Sequence, residues 1–408
     1  MSQVDEALAL IANNAVEFIG AEGLRKKLES GAKLRVKAGF DPTRPDLHLG
    51  HWVLLRKLRQ FQELGHEVIF IVGDFTAQIG DPSGRNATRP VPSEEEIREG
   101  AKSYAEQAFR VLDPQATRVV YNSEWLAPMG FAQVIRLAGK YTLARLMERE
   151  DFRTRWANHV PIALHELLYP LVQGYDSVHL KADIELGGSD QLFNLLVGRE
   201  LMKEFGLSPQ AVLTTPILEG LSAREEGGVL VGDKMSKSLG NHVAFNDSPS
   251  EQWGKIMSIA DPVMWRYFTL LSRRPASEIA EWKAAAQSGS ANPRDLKMAL
   301  AEEIVTFFHG AEAAQAAREA WNAQFSRKEV PAEMPECHVQ SEGETLWVPK
   351  ALVLAGLVPS STEARRRIEQ GSVEVDGERL SDPKATFERG RRYVVRAGKR
   401  AWATILVD

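Results

Sequence analysis

Only one cysteine, Cys337, occurs among the 408 residues, which excludes an internal disulfide and any zinc site built from several thiolates. No apolar run reaches the roughly 18 residues that a membrane-spanning helix needs. The first residues, Met1-Ser2-Gln3-Val4-Asp5-Glu6, are acidic and lack the basic-then-apolar layout of a secretory signal. These absences predict a cytoplasmic protein with no membrane partner, in keeping with so little cysteine. Internal repeats and low-complexity tracts are also missing. So is a phosphate-binding P-loop: Gly227 to Lys234 comes near the pattern, but Asp233 separates Gly232 from the lysine. What is present is an ordinary globular composition, 44% hydrophobic and 26% charged, at a length that predicts two or three domains around a sizeable core.

The net charge of -5 hides an asymmetry. Residues 346–408 hold 12 lysines and arginines against 8 aspartates and glutamates, an excess of +4 that leaves the rest of the chain at -9. A small basic module on an acidic body suits an anionic partner such as RNA. A solvated charged face explains the charge equally well.

Along the first half, strand-like and helical patterns alternate. Leu34–Phe40 and the apolar run Val68–Val72 read as buried strands, with a helix over His48–Leu64 between them. Ser93 and Glu96 form a capping box that opens a helix to about Leu112, and Arg118–Tyr121 is a further strand. The alternation predicts an α/β domain over 1–245, a doubly wound parallel sheet with helices on both faces and ligands at the carboxyl ends of the strands. From Ser248, an N-cap followed by proline and glutamate, the pattern turns helical. A helical domain is expected over 246–330, then a linker over 331–345. The module 346–408 reads as two short helices and two hairpins, the first turning at Asp376-Gly377 and the second at Gly398. Its arginines gather at Arg365, Arg366 and Arg367, and at Arg391, Arg392, Lys399 and Arg400.

Chemistry is carried first by two short motifs about 180 residues apart. His48-Leu49-Gly50-His51 places two imidazoles at the start of a helix, where free N–H groups and a partial positive charge suit phosphate. Gly50 removes a side chain where a nucleotide could press on the backbone. Two histidines with no third ligand nearby make a poor metal site. Lys234-Met235-Ser236-Lys237-Ser238 follows a glycine-rich polar stretch, Ser222–Asp233, that reads as a mobile loop. Two lysines on such a loop can close over a pyrophosphate as its charge builds. Farther toward the middle, Tyr169, Gln173 and Asp176 share one helical face, which fits either one pocket or a core tyrosine with exposed polar neighbours. Gly187-Gly188-Ser189-Asp190-Gln191 reads as the opening of another helix with Ser189 as its N-cap. Asp81 sits in a turn at the carboxyl end of a strand.

In this order the two motifs resemble the ATP site of the class I aminoacyl-tRNA synthetases. Gly39-Phe40-Asp41-Pro42-Thr43, Gly80–Gly84, Tyr169–Asp176 and Gly187–Gln191 resemble the bacterial tyrosyl-tRNA synthetases. The resemblance covers essentially the whole chain and implies a Rossmann-like catalytic domain and a C-terminal S4 RNA-binding module. It implies ATP, L-tyrosine and tRNA(Tyr) as substrates, Mg2+ carried on the ATP phosphates without a dedicated protein site, and a homodimer. Thr43, His48, His51, Lys234 and Lys237, helped by Arg85 and Arg89, would act on the phosphates. Gly39, Asp41, Gly50, Gly188, Asp190, Met235 and Ser236 would complete the ATP site. Asp81, Tyr169, Gln173 and Gln191 would hold the amino acid, with Asp176 on the phenol hydroxyl. One position departs from the family. Where many members carry a tyrosine that contacts the phenol, this chain has Lys37, which shifts phenol recognition to Asp176 or to a water that Lys37 orders. The sister tryptophanyl-tRNA synthetases share the ATP motifs and are the nearest alternative; a synthetase-derived RNA-binding protein without activity is another.

Overall fold

Strand β1 (Glu17–Ile19), β2 (Arg35–Phe40), β3 (Glu67–Val72), β4 (Thr117–Tyr121), β5 (Ile184–Gly188) and β6 (Ala211–Thr215) form one sheet in the order β1-β6-β5-β2-β3-β4. This computed structural model describes residues 2–42, 46–83, 93–325, 334–341, 343–398 and 401–408. By contacts it divides into two units, Met1–Glu319 and Ala320–Asp408. Neighbouring strands run parallel except β1, an antiparallel edge on β6. Val36, Ala38, Phe70, Ile71 and Ile184 are fully buried or nearly so, as strands covered on both faces require. The chain steps from β2 to β3 and β4, then returns to β5 and β6 on the other side of β2. The crevice at the carboxyl ends of β2 and β5 is therefore the topological switch point where such sheets take ligands.

The helix predicted from His48 runs Leu49–Glu63, and the Ser93 and Ser248 capping boxes open Glu94–Ala108 and Pro249–Ser258. Ser189 does not cap a helix. The N-cap conformation falls one residue earlier, on Gly188, which has no side chain to cap with; a 3-10 turn, Ser189–Gln191, leads into the Leu192–Glu204 helix. That helix crosses Leu164–Leu180 closely: a Cβ on Gly174 would lie 2.8 Å from Leu201 Cδ1 and 3.1 Å from the Gly198 nitrogen. Two small residues thus set how deeply Gln173 and Asp176 sit. Ser222–Asp233, expected as a mobile loop, holds a hairpin of Arg224–Glu226 against Val229–Val231. Gly227 and Gly228 turn it with φ of 60° and 83°, the left-handed conformations that a two-residue hairpin turn demands. Glycine content that reads as flexibility is here turn chemistry.

The helical segment expected over 246–330 is bound to the sheet body by half-buried arginines. Arg56 donates to the carbonyls of Leu270 and Ser272, both at 3.0 Å, and Arg110 to those of Phe245 and Phe308, both at 2.6 Å. No helix among the described residues is long and apolar enough to cross a membrane.

The second unit carries a five-stranded sheet in the order Glu378–Arg379, Val373–Val375, Arg392–Ala397, Ala401–Val407, Glu336–Val339. Its core is built from Leu346, Leu352, Ile368, Val395 and Ile405 among others. The Asp376-Gly377 turn forms with φ of 51° and 86°. The stretch 331–345, read as a linker, is partly structured. Glu336–Val339 joins the sheet edge beside Ala401–Val407, and Thr345–Trp347 pairs with Thr386–Glu388. The buried Val339 side chain explains the capture, which flanking prolines hide from a sequence reading.

Candidate active site

A cavity of about 380 Å³ opens at the carboxyl ends of the parallel strands in the first unit. At one end stand the two histidines. His48 is the N-cap of Leu49–Glu63, and its Nδ1 accepts the Gly50 N–H at 3.2 Å. The Nδ1 of His51 accepts the His48 N–H at 3.1 Å. With both Nδ1 atoms accepting, the proton of each neutral ring sits on Nε2. Burial, then neighbouring charge, pushes His48 well below its ordinary pKa and His51 down to about 4. Both are thus neutral donors at pH 7. The space at Gly50 is taken by the His48 ring, whose Nδ1 would lie 3.0 Å from a Cβ there.

Main-chain pairing joins this helix start to the distant lysine motif. His48 bridges to Ala244, the Leu49 N–H donates to the Val243 carbonyl at 3.0 Å, and the Phe245 N–H to that of Leu47 at 2.9 Å. Met235 is buried and its N–H donates to the Leu218 carbonyl at 2.8 Å. Asn241 holds the loop from inside, accepting the Ser236 N–H at 2.8 Å and donating to the Lys234 carbonyl at 3.2 Å. Lys234 Nζ lies 2.9 Å from Asp190 Oδ2, and Lys237 pairs with Asp46. Both ammonium groups line the cavity beside the imidazoles.

The other end is a hydrogen-bonded pocket. Tyr169 donates to Asp41 Oδ2 at 2.8 Å, and Thr76 to Asp41 Oδ1 at 2.7 Å. Burial and the Asp41 charge keep the Tyr169 phenol protonated, raising it well above its ordinary pKa. Asp81 accepts from Gln191 at 2.8 Å and lies 3.5 Å from Arg149. Burial opposes ionisation of Asp81, but Arg149 and the Ser83 and Gln191 hydrogen bonds outweigh it and hold the carboxyl below its ordinary value. The buried Gln173 Oε1 has no donor among the described residues. Deepest lies Asp176, 3% exposed, which accepts from Trp125 Nε1 at 2.8 Å and Asn122 Nδ2 at 3.4 Å. Burial pushes its carboxyl up to about 7, against the pull of Lys37, Trp125 and Asn122.

The family described as tRNA synthetases class I (W and Y) matches residues 29–326, and a tyrosine–tRNA ligase C-terminal domain matches residues 327–405. The tyrosine–tRNA ligase of Aromatoleum aromaticum is 52% identical over 408 residues, covering 100% of both chains. The chain belongs to the class I tyrosyl-tRNA synthetases. The tyrosine–tRNA ligase of Thermotoga maritima is 50% identical, with 98% of this chain and 97% of that one covered. The tyrosyl-tRNA synthetase of Archaeoglobus fulgidus, solved with L-tyrosine, superposes with a TM-score of 0.63 at 28% identity, over 77% of this chain and 99% of its own.

The synthetase cavity gathers most of the residues singled out in the sequence: Gly39, Asp41, His48, Gly50, His51, Asp81, Tyr169, Gln173, Asp176, Gly188, Asp190, Gln191 and Lys234 through Lys237. Thr43, Arg85, Arg89, Lys399 and Arg400 lie outside the described residues. Lys37, expected at the phenol, does not line the cavity: its ammonium is buried beneath the floor, 2.7 Å from Glu185 Oε1. A charge sealed from water takes the nearest opposite charge. In the second unit Arg365 lies over Trp347, Arg366 and Arg367 pair with Glu363, and Arg391 and Arg392 are largely exposed. Sequence reasoning missed Asp46, Asn122, Trp125, Arg149 and Asn241. Asn122 and Trp125 follow the carboxyl end of β4, a position that could have nominated them; the others touch the site only through the fold.

Proposed function

We infer that this chain activates L-tyrosine with ATP and transfers the tyrosyl group to tRNA(Tyr). The observation that carries this reading is one cavity with phosphate-binding donors at one end and a buried carboxylate at the other, in a chain half identical to tyrosine–tRNA ligases throughout. A tyrosine carboxylate oxygen bonds to the α-phosphorus of ATP as the bond to pyrophosphate breaks. The Nε2–H groups of His48 and His51 and the ammonium groups of Lys234 and Lys237 take up the negative charge that builds on the phosphates. The lysines leave Asp190 and Asp46 to do so. Asp81, Tyr169 and Gln173 hold the substrate ammonium, with Gln191 fixing Asp81, and Asp176 accepts the phenol proton. No side chain need act as nucleophile; positioning and charge stabilisation suffice. Magnesium bound to the ATP phosphates would offset part of their charge. The ribose hydroxyl of the tRNA end then attacks the tyrosyl carbonyl and AMP leaves.

ATP–pyrophosphate exchange with tyrosine, phenylalanine and tryptophan offered separately tests this. Exchange with tyrosine alone supports it, exchange with tryptophan moves the chain to the sister specificity, and no exchange from folded protein overturns it.

The basic module supplies the RNA contact. A chain ending before Glu336 should keep tyrosine activation and lose tRNA charging. The cut belongs there, because Glu336–Val339 is a strand of the C-terminal sheet. Equal charging by both chains, measured with labelled tyrosine, would refute this role. The protein works in the cytoplasm, where its tRNA and ATP are.

Large exposed apolar side chains concentrate between 131 and 164: Phe131 is 80% exposed, Trp156 71% and Leu164 83%, with Ile135 and Leu143 also open. Such a concentration suits a partner surface, and a second copy of the chain is the partner that the family implies. Phe131→Glu with Trp156→Glu should turn a sedimenting dimer into a monomer; an unchanged sedimentation coefficient would exclude this face.

A further inference from the structure

An ion pair beneath the cavity has no part in the adenylate chemistry. Lys37 on β2 and Glu185 on β5 are register partners, each 1% exposed. Two charges out of water cost several kcal/mol each unless their partners are well placed. Glu185 has such partners. Its Oε1 accepts from Lys37 at 2.7 Å, and its Oε2 from Ser177 Oγ at 3.0 Å and from Gln210 Nε2. Lys37 has three N–H donors, and Glu185 is its one hydrogen-bond acceptor among the described residues. The arrangement is lopsided: three donors share the acid, while the ammonium keeps field to spare.

That field acts on Asp176, the neighbour of Ser177 on the Leu164–Leu180 helix. Lys37 favours the Asp176 carboxylate and Glu185 opposes it, with Lys37 the stronger of the two. Trp125 and Asn122 reach Asp176 from the residues after β4. His179 stacks on Trp125 at 4.5 Å, and burial lowers its pKa. Asp41 connects to Asn122 through Thr76.

We infer that Lys37, anchored by Glu185 under the cavity floor, is the positioning residue that keeps Asp176 a charged acceptor for the substrate phenol and so sets the preference for tyrosine over phenylalanine. This rests on the reading that Asp176 meets the phenol. Burial on one side and Lys37, Trp125 and Asn122 on the other leave Asp176 balanced at about 7, so loss of one neighbouring charge changes its state. Phenylalanine has no hydroxyl to pair with the carboxylate and loses nothing when Asp176 takes a proton.

The test is pyrophosphate exchange with each amino acid between about pH 6 and pH 9, on the full chain. In the unsubstituted protein kcat/KM for tyrosine should fall through KM as pH drops below about 7, while that for phenylalanine shows no such fall. Lys37→Met should move that midpoint up by about one unit, a roughly fivefold loss for tyrosine at pH 7 that closes at high pH. The KM for ATP should not change, and the phenylalanine kcat/KM should not fall. Lys37→Met with Glu185→Gln buries no lone charge and should show a smaller alkaline shift; it carries the test if the single variant does not fold. An unmoved midpoint, an equal loss for both amino acids, or a double variant with the unsubstituted profile would overturn the inference, the last by reducing Lys37 to a neutraliser of Glu185. Asp176→Asn separates the two readings. If it leaves the preference for tyrosine intact, the phenol assignment itself fails; if it abolishes the preference while Lys37→Met leaves the midpoint in place, only the role of Lys37 fails.

Discussion

Lys237→Ala should slow single-turnover formation of tyrosyl-adenylate by roughly 10²- to 10³-fold while leaving the Kd for tyrosine unchanged. The loop around Lys237 is held by main-chain contacts at Met235 and by Asn241, neither of which involves the lysine side chain. Alanine at 237 therefore removes a charge without dismantling the loop. In the structure that charge, on a lysine 15% exposed, rests on Asp46 beside the histidines, so its move to phosphate exchanges one anion for another. The gain over the resting pair comes as negative charge grows on the leaving pyrophosphate, which is why rate rather than binding should respond. The proposed amino acid pocket, with Asp81, Tyr169, Gln173 and Asp176, has no hydrogen bond or ion pair to Lys237 among the described residues. Rapid quench with labelled ATP measures the rate. An unchanged rate, or a weakened tyrosine Kd, would remove Lys237 from the proposed chemistry.

Asp176→Asn should lower the preference for tyrosine over phenylalanine by roughly 10²- to 10³-fold, almost all of it lost from tyrosine. A site built to pair a hydroxyl rejects the analogue lacking it because buried polar groups are then left unmatched. That discrimination is a known property of tyrosyl-tRNA synthetases, and the magnitude is taken from it. The carboxylate form is the acceptor, and burial has raised its pKa to about 7. The sign follows: a proton occupies Asp176 below that value, so tyrosine affinity should fall as pH drops through about 7 and recover above it. Asparagine carries no such proton, so the variant's profile should be flat. Trp125 and Asn122 remain to orient the amide, which favours a loss of selectivity without unfolding. Comparing kcat/KM for the two amino acids across pH checks both parts. Selectivity that survives the substitution would move the phenol to another partner.

Much of the phosphate end is legible in the order of residues. His48 and His51 sit three residues apart at a helix start, and local geometry alone gives a helix N-terminus its donors. The spacing of Tyr169, Gln173 and Asp176 places them on one face for the same reason, since 3.6 residues per turn is a local property. The departures differ in cause. Ser189 has the side chain of a helix cap, but β5 runs on through Gly188 and takes the N-cap conformation. Glu336–Val339 has the flanks of a linker, and a sheet edge claims it. Both depend on a partner remote in sequence. Ser222–Asp233 has the composition of a mobile loop, yet Gly227 and Gly228 turn a local hairpin.

By itself the sequence determined the alternation of strands and helices, the two motifs, the basic C-terminal module and the family resemblance, because these rest on local periodicity and on residue order. Only the tertiary structure decided which charges meet. Lys37 and Asp176 are 139 positions apart. It took the parallel register of β2 on β5 to turn Lys37 toward Glu185, and the close crossing at Gly174 and Gly198 to set Asp176 above them. Electrostatic coupling depends on distance through space and on exclusion of water, and neither is written in the order of residues.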